Sequence, residues 1–225
     1  MIIYTNGCSH TDDFPWEERY DLEHKKSYSW PVKLMDRYSN SYKYIRQSSD
    51  FKLINSQEDF LINDSVSGAS NDYIFHTSIE TLNGLFLKNL IPNYVIIQWS
   101  GPNRRFHILP DGHTRLFVNP TEHLEYHLKY EPMASTHTLH YMYSLQEQLK
   151  KYDIPYKFFN YMGIDEHTKN LNTYKKLDFD NVVDFGNNTL HNGLIELLKS
   201  KNYTQDEMGH ANEEGNIFIS SNLVL

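Results

Sequence analysis

The run Tyr-Val-Ile-Ile-Gln-Trp at 94–99 has apolar side chains on both of the faces that a strand presents. A strand with one wet face alternates polar and apolar residues, whereas a continuous run of this length fits a strand covered on both sides, as in the middle of a parallel sheet. Shorter runs repeat the signal at residues 1–5, at 59–63 (Asp-Phe-Leu-Ile-Asn) or 51–55 (Phe-Lys-Leu-Ile-Asn), and at 155–161, with Val182-Val183-Asp184 closing the set. Helical patterns fill the gaps. Ser29-Trp30-Pro31 reads as a cap and first turn ahead of Val32, Leu34, Met35 and Tyr38. Ile74, Phe75, Ile79, Leu82 and Phe86 recur at helical spacing in 71–88, with Ser70 or Asn71 as cap. Residues 136–152 and 190–200 give two more helices, and Asn212-Glu213-Glu214-Gly215 starts a short last one whose acids suit its positive end. Alternation of this kind marks an α/β fold, expected as a three-layer sandwich on a mostly parallel sheet in flavodoxin-like order.

Two stretches interrupt the rhythm. Pro110-Asp111-Gly112, between Phe106-His107-Ile108-Leu109 and Leu116-Phe117-Val118, reads as a β-hairpin inserted over 104–118. Residues 10–28 are polar, aromatic and charged, and read as a long loop. Both follow strands whose carboxyl ends share one edge of the sheet, where open α/β sheets place their ligands. The 225 residues suit one domain, 1–225, with a full core.

A formal net charge of −8 argues against a nucleic-acid partner or an acidic membrane surface, since neutralising phosphates takes clustered cations. The lone Cys8 has no partner for an internal disulfide, which fits a reducing compartment. No apolar stretch has the length of a membrane span, and Met1-Ile2-Ile3-Tyr4 enters the first strand without the basic start and cleavage site of a signal peptide. The expectation is a cytoplasmic protein.

The chemistry-bearing residues lie at the two ends. Ser9, in Gly7-Cys8-Ser9-His10-Thr11, falls where the first strand gives way to a turn, a place where a hydroxyl is exposed while backbone amides face a developing negative charge. Near the other end His210 follows Asp206 by four residues and Glu207 by three, so either acid is a candidate to hold the imidazole in one tautomer. A serine after a strand is more often only a cap, and a histidine before a last helix is more often an ordinary surface residue. The motifs between them change that balance.

Gly7-Cys8-Ser9, Val66-Ser67-Gly68-Ala69-Ser70-Asn71, Gly101-Pro102-Asn103 and Glu207-Met208-Gly209-His210 together resemble, in order, the four blocks of the SGNH/GDSL hydrolases. The resemblance spans nearly the whole chain and implies Ser9 as nucleophile, His210 as base, and Gly68 and Asn103 as oxyanion-hole donors. It implies an esterase or acetylesterase that needs no cofactor or metal, acting on a small-molecule or carbohydrate ester, with an acylated carbohydrate favoured over lipid by the polar, aromatic loops. The departures are Cys8 for the usual Asp of the first block, Arg104 for the Asp after Asn103, and the displaced acid before His210. They leave a rival reading, a non-catalytic carbohydrate-binding or structural protein on the same fold.

Other candidates rank lower. Arg104 and Arg105 suit a carboxylate, phosphate or sugar acid on the substrate, or else an ion pair with Glu17 or Glu18. Cys8 beside Ser9 is expected to be inert. His137 with His140 and His107 with His113 have spacings that metal sites use, but 12 histidines produce such spacings by chance. Trp16, Trp99 and Tyr28 are candidates to stack on a sugar, with Trp99 better placed in the core. No Gly-x-Gly-x-x-Gly or Walker loop follows a strand, which disfavours a nucleotide site.

Overall fold

Strand β1 (Ile2–Asn6) is buried along its whole length and hydrogen-bonded on both sides, to β3 (Phe60–Asn63) and to β4 (Tyr94–Trp99). With β2 (Lys43–Arg46) outside β3 and β5 (Tyr156–Asn160) outside β4, the sheet runs β2-β3-β1-β4-β5 with every pairing parallel. The computed structural model describes residues 1–11, 29–46, 54, 57–104, 124–207 and 209–225, with 124–132 as helix backbone. All but the first residue of the hairpin expected over 104–118, most of the loop expected over 10–28, and nearly all of the alternative strand at 51–55 lie outside them. Val182 makes a parallel bridge to Phe158 on the free side of β5. Setting β2 aside, β3-β1-β4-β5 and this bridge follow the flavodoxin-like order.

Period-2 alternation sends each strand's side chains into two cores. Tyr4, Phe60, Ile62, Val95, Ile97 and Phe158 face α2 (Asn71–Phe86) and α3 (Leu124–Lys151), meeting Ile74, Leu82, Leu139 and Leu145. On the other side Ile3 and Leu61 meet Met35 of α1 (Trp30–Tyr38), while Ile96 and Phe159 meet Trp30 and Leu34. Leu190 of α4 (Thr189–Asn192) joins the first core, while the α1 layer is completed by α5 (Leu194–Ser200) and α6 (Glu213–Asn222) through Leu194, Leu198 and Ile219. The expected three layers are therefore present.

Several boundaries differ from the sequence reading. The helix expected over 190–200 is broken at Gly193, and α3 starts at Leu124 rather than 136. Strand β2 was not anticipated, because only Ile45 of its four residues is buried and an edge strand gives no continuous apolar run. Pro31 sits in the first turn of α1 as expected, and the Asn212 side chain caps α6 by accepting from Gly215 N at 2.9 Å. Ser70 instead hydrogen-bonds the Asp72 carboxylate.

A polar cluster is buried where α2 crosses β1 and β3. The Asn6 carboxamide donates toward Ile74 O at 3.1 Å and Thr77 Oγ1 at 2.8 Å, and its oxygen accepts Gly7 N at 2.8 Å. Asp64, 4% exposed, accepts from the Thr81 hydroxyl through one oxygen, while the other has no hydrogen-bond partner among the described residues. Burial pushes its carboxyl up to about 6. The folded chain then holds the Asp64 proton more tightly than the unfolded chain, whose carboxyl titrates near ~3.9. The group therefore lowers stability as pH rises between about 4 and 6, by roughly 3 kcal/mol in full. Asp64→Asn removes this cost: urea unfolding from pH 4 to 7 should show the variant gaining on the natural chain by up to about 3 kcal/mol as pH rises. A constant difference across that range would contradict the assignment.

Candidate active site

Three tight turns stand just beyond the carboxyl ends of adjacent strands. Beyond β1, Thr11 N donates to the Cys8 carbonyl at 2.9 Å, closing the turn that carries Ser9. Beyond β3, Ala69 N donates to the Val66 carbonyl at 3.0 Å. Gly68 has a φ of +78° in this turn, the left-handed value that a type II turn gives to glycine at its third position. Beyond β4, Arg104 N donates to the Gly101 carbonyl at 3.2 Å, closing the turn that carries Asn103. Because β1 lies between β3 and β4, the three turns are neighbours, and Val66 N reaches the Gly7 carbonyl at 3.3 Å.

Buried amides fix these turns. Gln98 of β4 accepts from the Thr11 hydroxyl and, at 3.4 Å, from Trp30 Nε1, and its nitrogen lies 3.7 Å from Cys8 Sγ. Asn71, in the first turn of α2, accepts Ser100 N at 2.7 Å and donates to Ser100 O at 3.1 Å and to Thr138 Oγ1 at 2.9 Å. One side chain thus ties the start of α2 to the residue preceding the Asn103 turn and to α3. Each buried amide is worth keeping only if its partners stay in place, which makes the turns rigid.

The last loop brings His210 to the same edge. Thr204 bridges Ala211 antiparallel, Asn212 N donates to Tyr203 O at 2.9 Å, and Gln205 N donates to His210 O at 2.8 Å. Gly209 closes the loop with a φ of +85°, and a Cβ there would fall 2.6 Å from the Ile195 side chain, so the loop needs glycine. The Tyr161 hydroxyl, just past β5, donates to the Gly209 carbonyl and anchors the loop to the sheet. Burial holds that phenol well above its ordinary range, which suits a permanent donor.

His210 is thereby placed with Nε2 3.0 Å from Ser9 Oγ and Nδ1 2.6 Å from Asp206 Oδ2. Asp206 Oδ1 also accepts His210 N at 3.0 Å, so one carboxylate holds both the backbone and the ring of the histidine. A carboxylate only accepts, so Nδ1 carries the proton and the Nε2 lone pair faces the serine hydroxyl. The acid on the ring is Asp206, four residues before the histidine, and Glu207 is exposed. Chemically this arrangement is a hydroxyl, an imidazole able to take its proton, and a half-buried acid able to steady the imidazolium that results.

Sequence reasoning passed over His10 and Tyr161. The His10 ring stacks on Tyr161 with centroids 3.5 Å apart at 14° and lies 4.5 Å from the His210 ring at 30°. It is 8% exposed, and its Nδ1 has no hydrogen-bond partner among the described residues. Burial first, then His210 and the Arg104 cation, hold His10 well below the usual histidine range, so it packs as a neutral plate beside the His210 ring. His10 adjoins Ser9 in the chain and was there to be noticed, whereas nothing local marks Tyr161.

The other candidates are dispersed. Cys8 is 1% exposed within the apolar core, and Trp99 is fully buried. Asn103 and Arg104 sit together in the turn beyond β4, whereas Arg105, Trp16, Tyr28, His107 and His113 lie outside the described residues. His137 and His140 are exposed, and among the described residues no group of three His, Cys, Asp or Glu side chains is placed to hold a metal. No helix among them is long and apolar enough to cross a membrane.

The fold is similar to that of solved esterases. A psychrotrophic esterase, EstA from Pseudoalteromonas sp., in a structure inhibited by monoethylphosphonate, superposes with a TM-score of 0.50 at 12% identity, over 98% of this chain and 93% of that one. An acetyl xylan esterase, AlAXEase, gives a TM-score of 0.50 at 15% identity, over 99% and 97%. No protein-family model matches the sequence, and no curated protein matches it. At such identities the likeness speaks for the architecture alone.

The choice of acid is open to a direct test. A 2.6 Å bond from imidazole to carboxylate should give a strongly downfield Nδ1 proton resonance for His210. Asp206→Asn should abolish that signal and Glu207→Gln should leave it unchanged; the reverse pattern would reassign the partner.

Proposed function

We propose that the chain is a serine ester hydrolase of SGNH type, in which Ser9, His210 and Asp206 act as nucleophile, base and orienting acid. The observation that carries this reading is the continuous hydrogen-bonded line from Ser9 Oγ through both nitrogens of His210 to Asp206. His210 Nε2 takes the hydroxyl proton as Ser9 Oγ attacks the ester carbonyl carbon. The oxyanion is received by the backbone N–H groups of Ser9 and Gly68 and by the Asn103 side chain, carried on the three neighbouring turns. His210 then returns the proton to the departing alcohol, and water, activated by the same imidazole, releases the acid from Ser9.

The displaced acid, which favoured a non-catalytic reading on sequence grounds, instead argues for catalysis, since Asp206 reaches Nδ1 across four residues. We infer an acyl or O-acetyl group on a carbohydrate as the substrate, handled by a single domain over 1–225. The structural likeness to AlAXEase, an acetyl xylan esterase, and the aromatic content of 10–28 support that choice. Arg104 and Arg105 are proposed to bind the substrate.

Ser9→Ala and His210→Ala should each abolish hydrolysis of a short-chain nitrophenyl ester, and Asp206→Asn should lower kcat by about 10⁴. Asn103→Ala should cost roughly a hundred- to a thousandfold in kcat. A serine-directed fluorophosphonate should label the natural chain at Ser9, read by peptide mass. Folded protein that neither takes the label nor turns over an ester is a binder, and the proposal then fails.

A further inference from the structure

We propose that the ester taken by this site carries an anionic group, a carboxylate or a phosphate, and that Arg104 selects it; this rests on reading Ser9 and His210 as nucleophile and base. Arg104 directly follows Asn103 and closes its turn by donating N–H to the Gly101 carbonyl at 3.2 Å. The side chain is partly buried and donates through Nη1 to Ser100 Oγ at 3.0 Å. Ser100 is itself 1% exposed and held by Asn71 at both its N–H and its carbonyl. The guanidinium is therefore anchored to a fixed support, and less side-chain freedom is lost when a ligand meets it.

Among the described residues no carboxylate pairs with Arg104, and the ion pairs involve other groups. The cation stands on the turn beyond β4, which neighbours the Ser9 turn beyond β1, and its charge is among the causes that hold His10 below the usual histidine range. A partly desolvated cation with no counter-ion among the described residues carries an electrostatic cost that an incoming anion offsets. The planar fork, with one donor spent on Ser100, keeps further N–H groups for the paired oxygens of a carboxylate or phosphate.

Matched esters test this on the purified full chain. On the acyl side, 4-nitrophenyl butyrate and 4-nitrophenyl hemisuccinate differ by a terminal carboxylate. On the alcohol side, acetylated glucose and acetylated glucose phosphate differ by the phosphate. In at least one pair the charged member should have a kcat/KM at least about tenfold higher. Arg104→Gln should collapse that ratio and Arg104→Lys should keep part of it, and the responding pair tells which side of the ester bears the charge. A ratio near one in both pairs, or a preference that survives Arg104→Gln, overturns the proposal. Should Arg104→Gln fail to fold, the natural chain is compared at low and high salt: a preference that weakens with salt supports the arginine, and one indifferent to salt overturns it. If the folded chain hydrolyses none of these esters, the nucleophile reading is what fails. Arg104 is then judged by titrating monomethyl succinate and methyl phosphate: binding at least about tenfold weaker in Arg104→Gln supports it, and equal binding overturns it.

Discussion

Strand β1 is the constraint on which the rest depends. It takes hydrogen bonds from β3 and β4 at once, and all five of its residues are buried, so its carboxyl end is among the least movable points in the chain. The Ser9 turn starts two residues later and is held in turn by Gln98 from the neighbouring strand. Parallel pairing adds a second consequence. Strands that run the same way end on the same edge, so the Gly68 and Asn103 turns arrive beside Ser9 without any long loop having to find it.

Polar groups buried beside the turns supply what apolar packing lacks, a defined angle. Asn71 grips both backbone groups of Ser100, Asn6 ties the end of β1 to α2, and Tyr161 holds the carbonyl next to His210. Each is costly to bury unless every partner is present, so small displacements are penalised more steeply than sliding an aliphatic surface would be. The stack of Tyr161, His10 and His210 completes the support from the side that hydrogen bonds leave open.

How much of this was legible varies with how local the signal is. Residues 94–99 match β4 end to end, and the runs at 1–5, 59–63 and 155–161 fall within a residue or two of β1, β3 and β5, because burial on both faces writes itself into consecutive side chains. Strand β2 left no such trace, having a single buried residue at the sheet's edge. The order of the blocks around Ser9, Gly68, Asn103 and His210 was readable as well. Tyr161 was not, since a tyrosine after a strand looks the same whether it fills a core or anchors a loop.

By itself the sequence determined the α/β alternation, the two-faced burial of the central strands, and which residues were fit to supply a hydroxyl, an imidazole and an acid. These follow from side-chain periodicity and chemical type, both local properties. The tertiary structure alone decided between Asp206 and Glu207, because that choice turns on the left-handed backbone at Gly209, its contact with Ile195 and the anchor from Tyr161. It also decided that Ser9 and His210, 201 positions apart, stand 3.0 Å from each other, and that Arg104 rests on Ser100 rather than on a described carboxylate. Contacts across such separations depend on how layers pack and where loops return, and no window of residues encodes them.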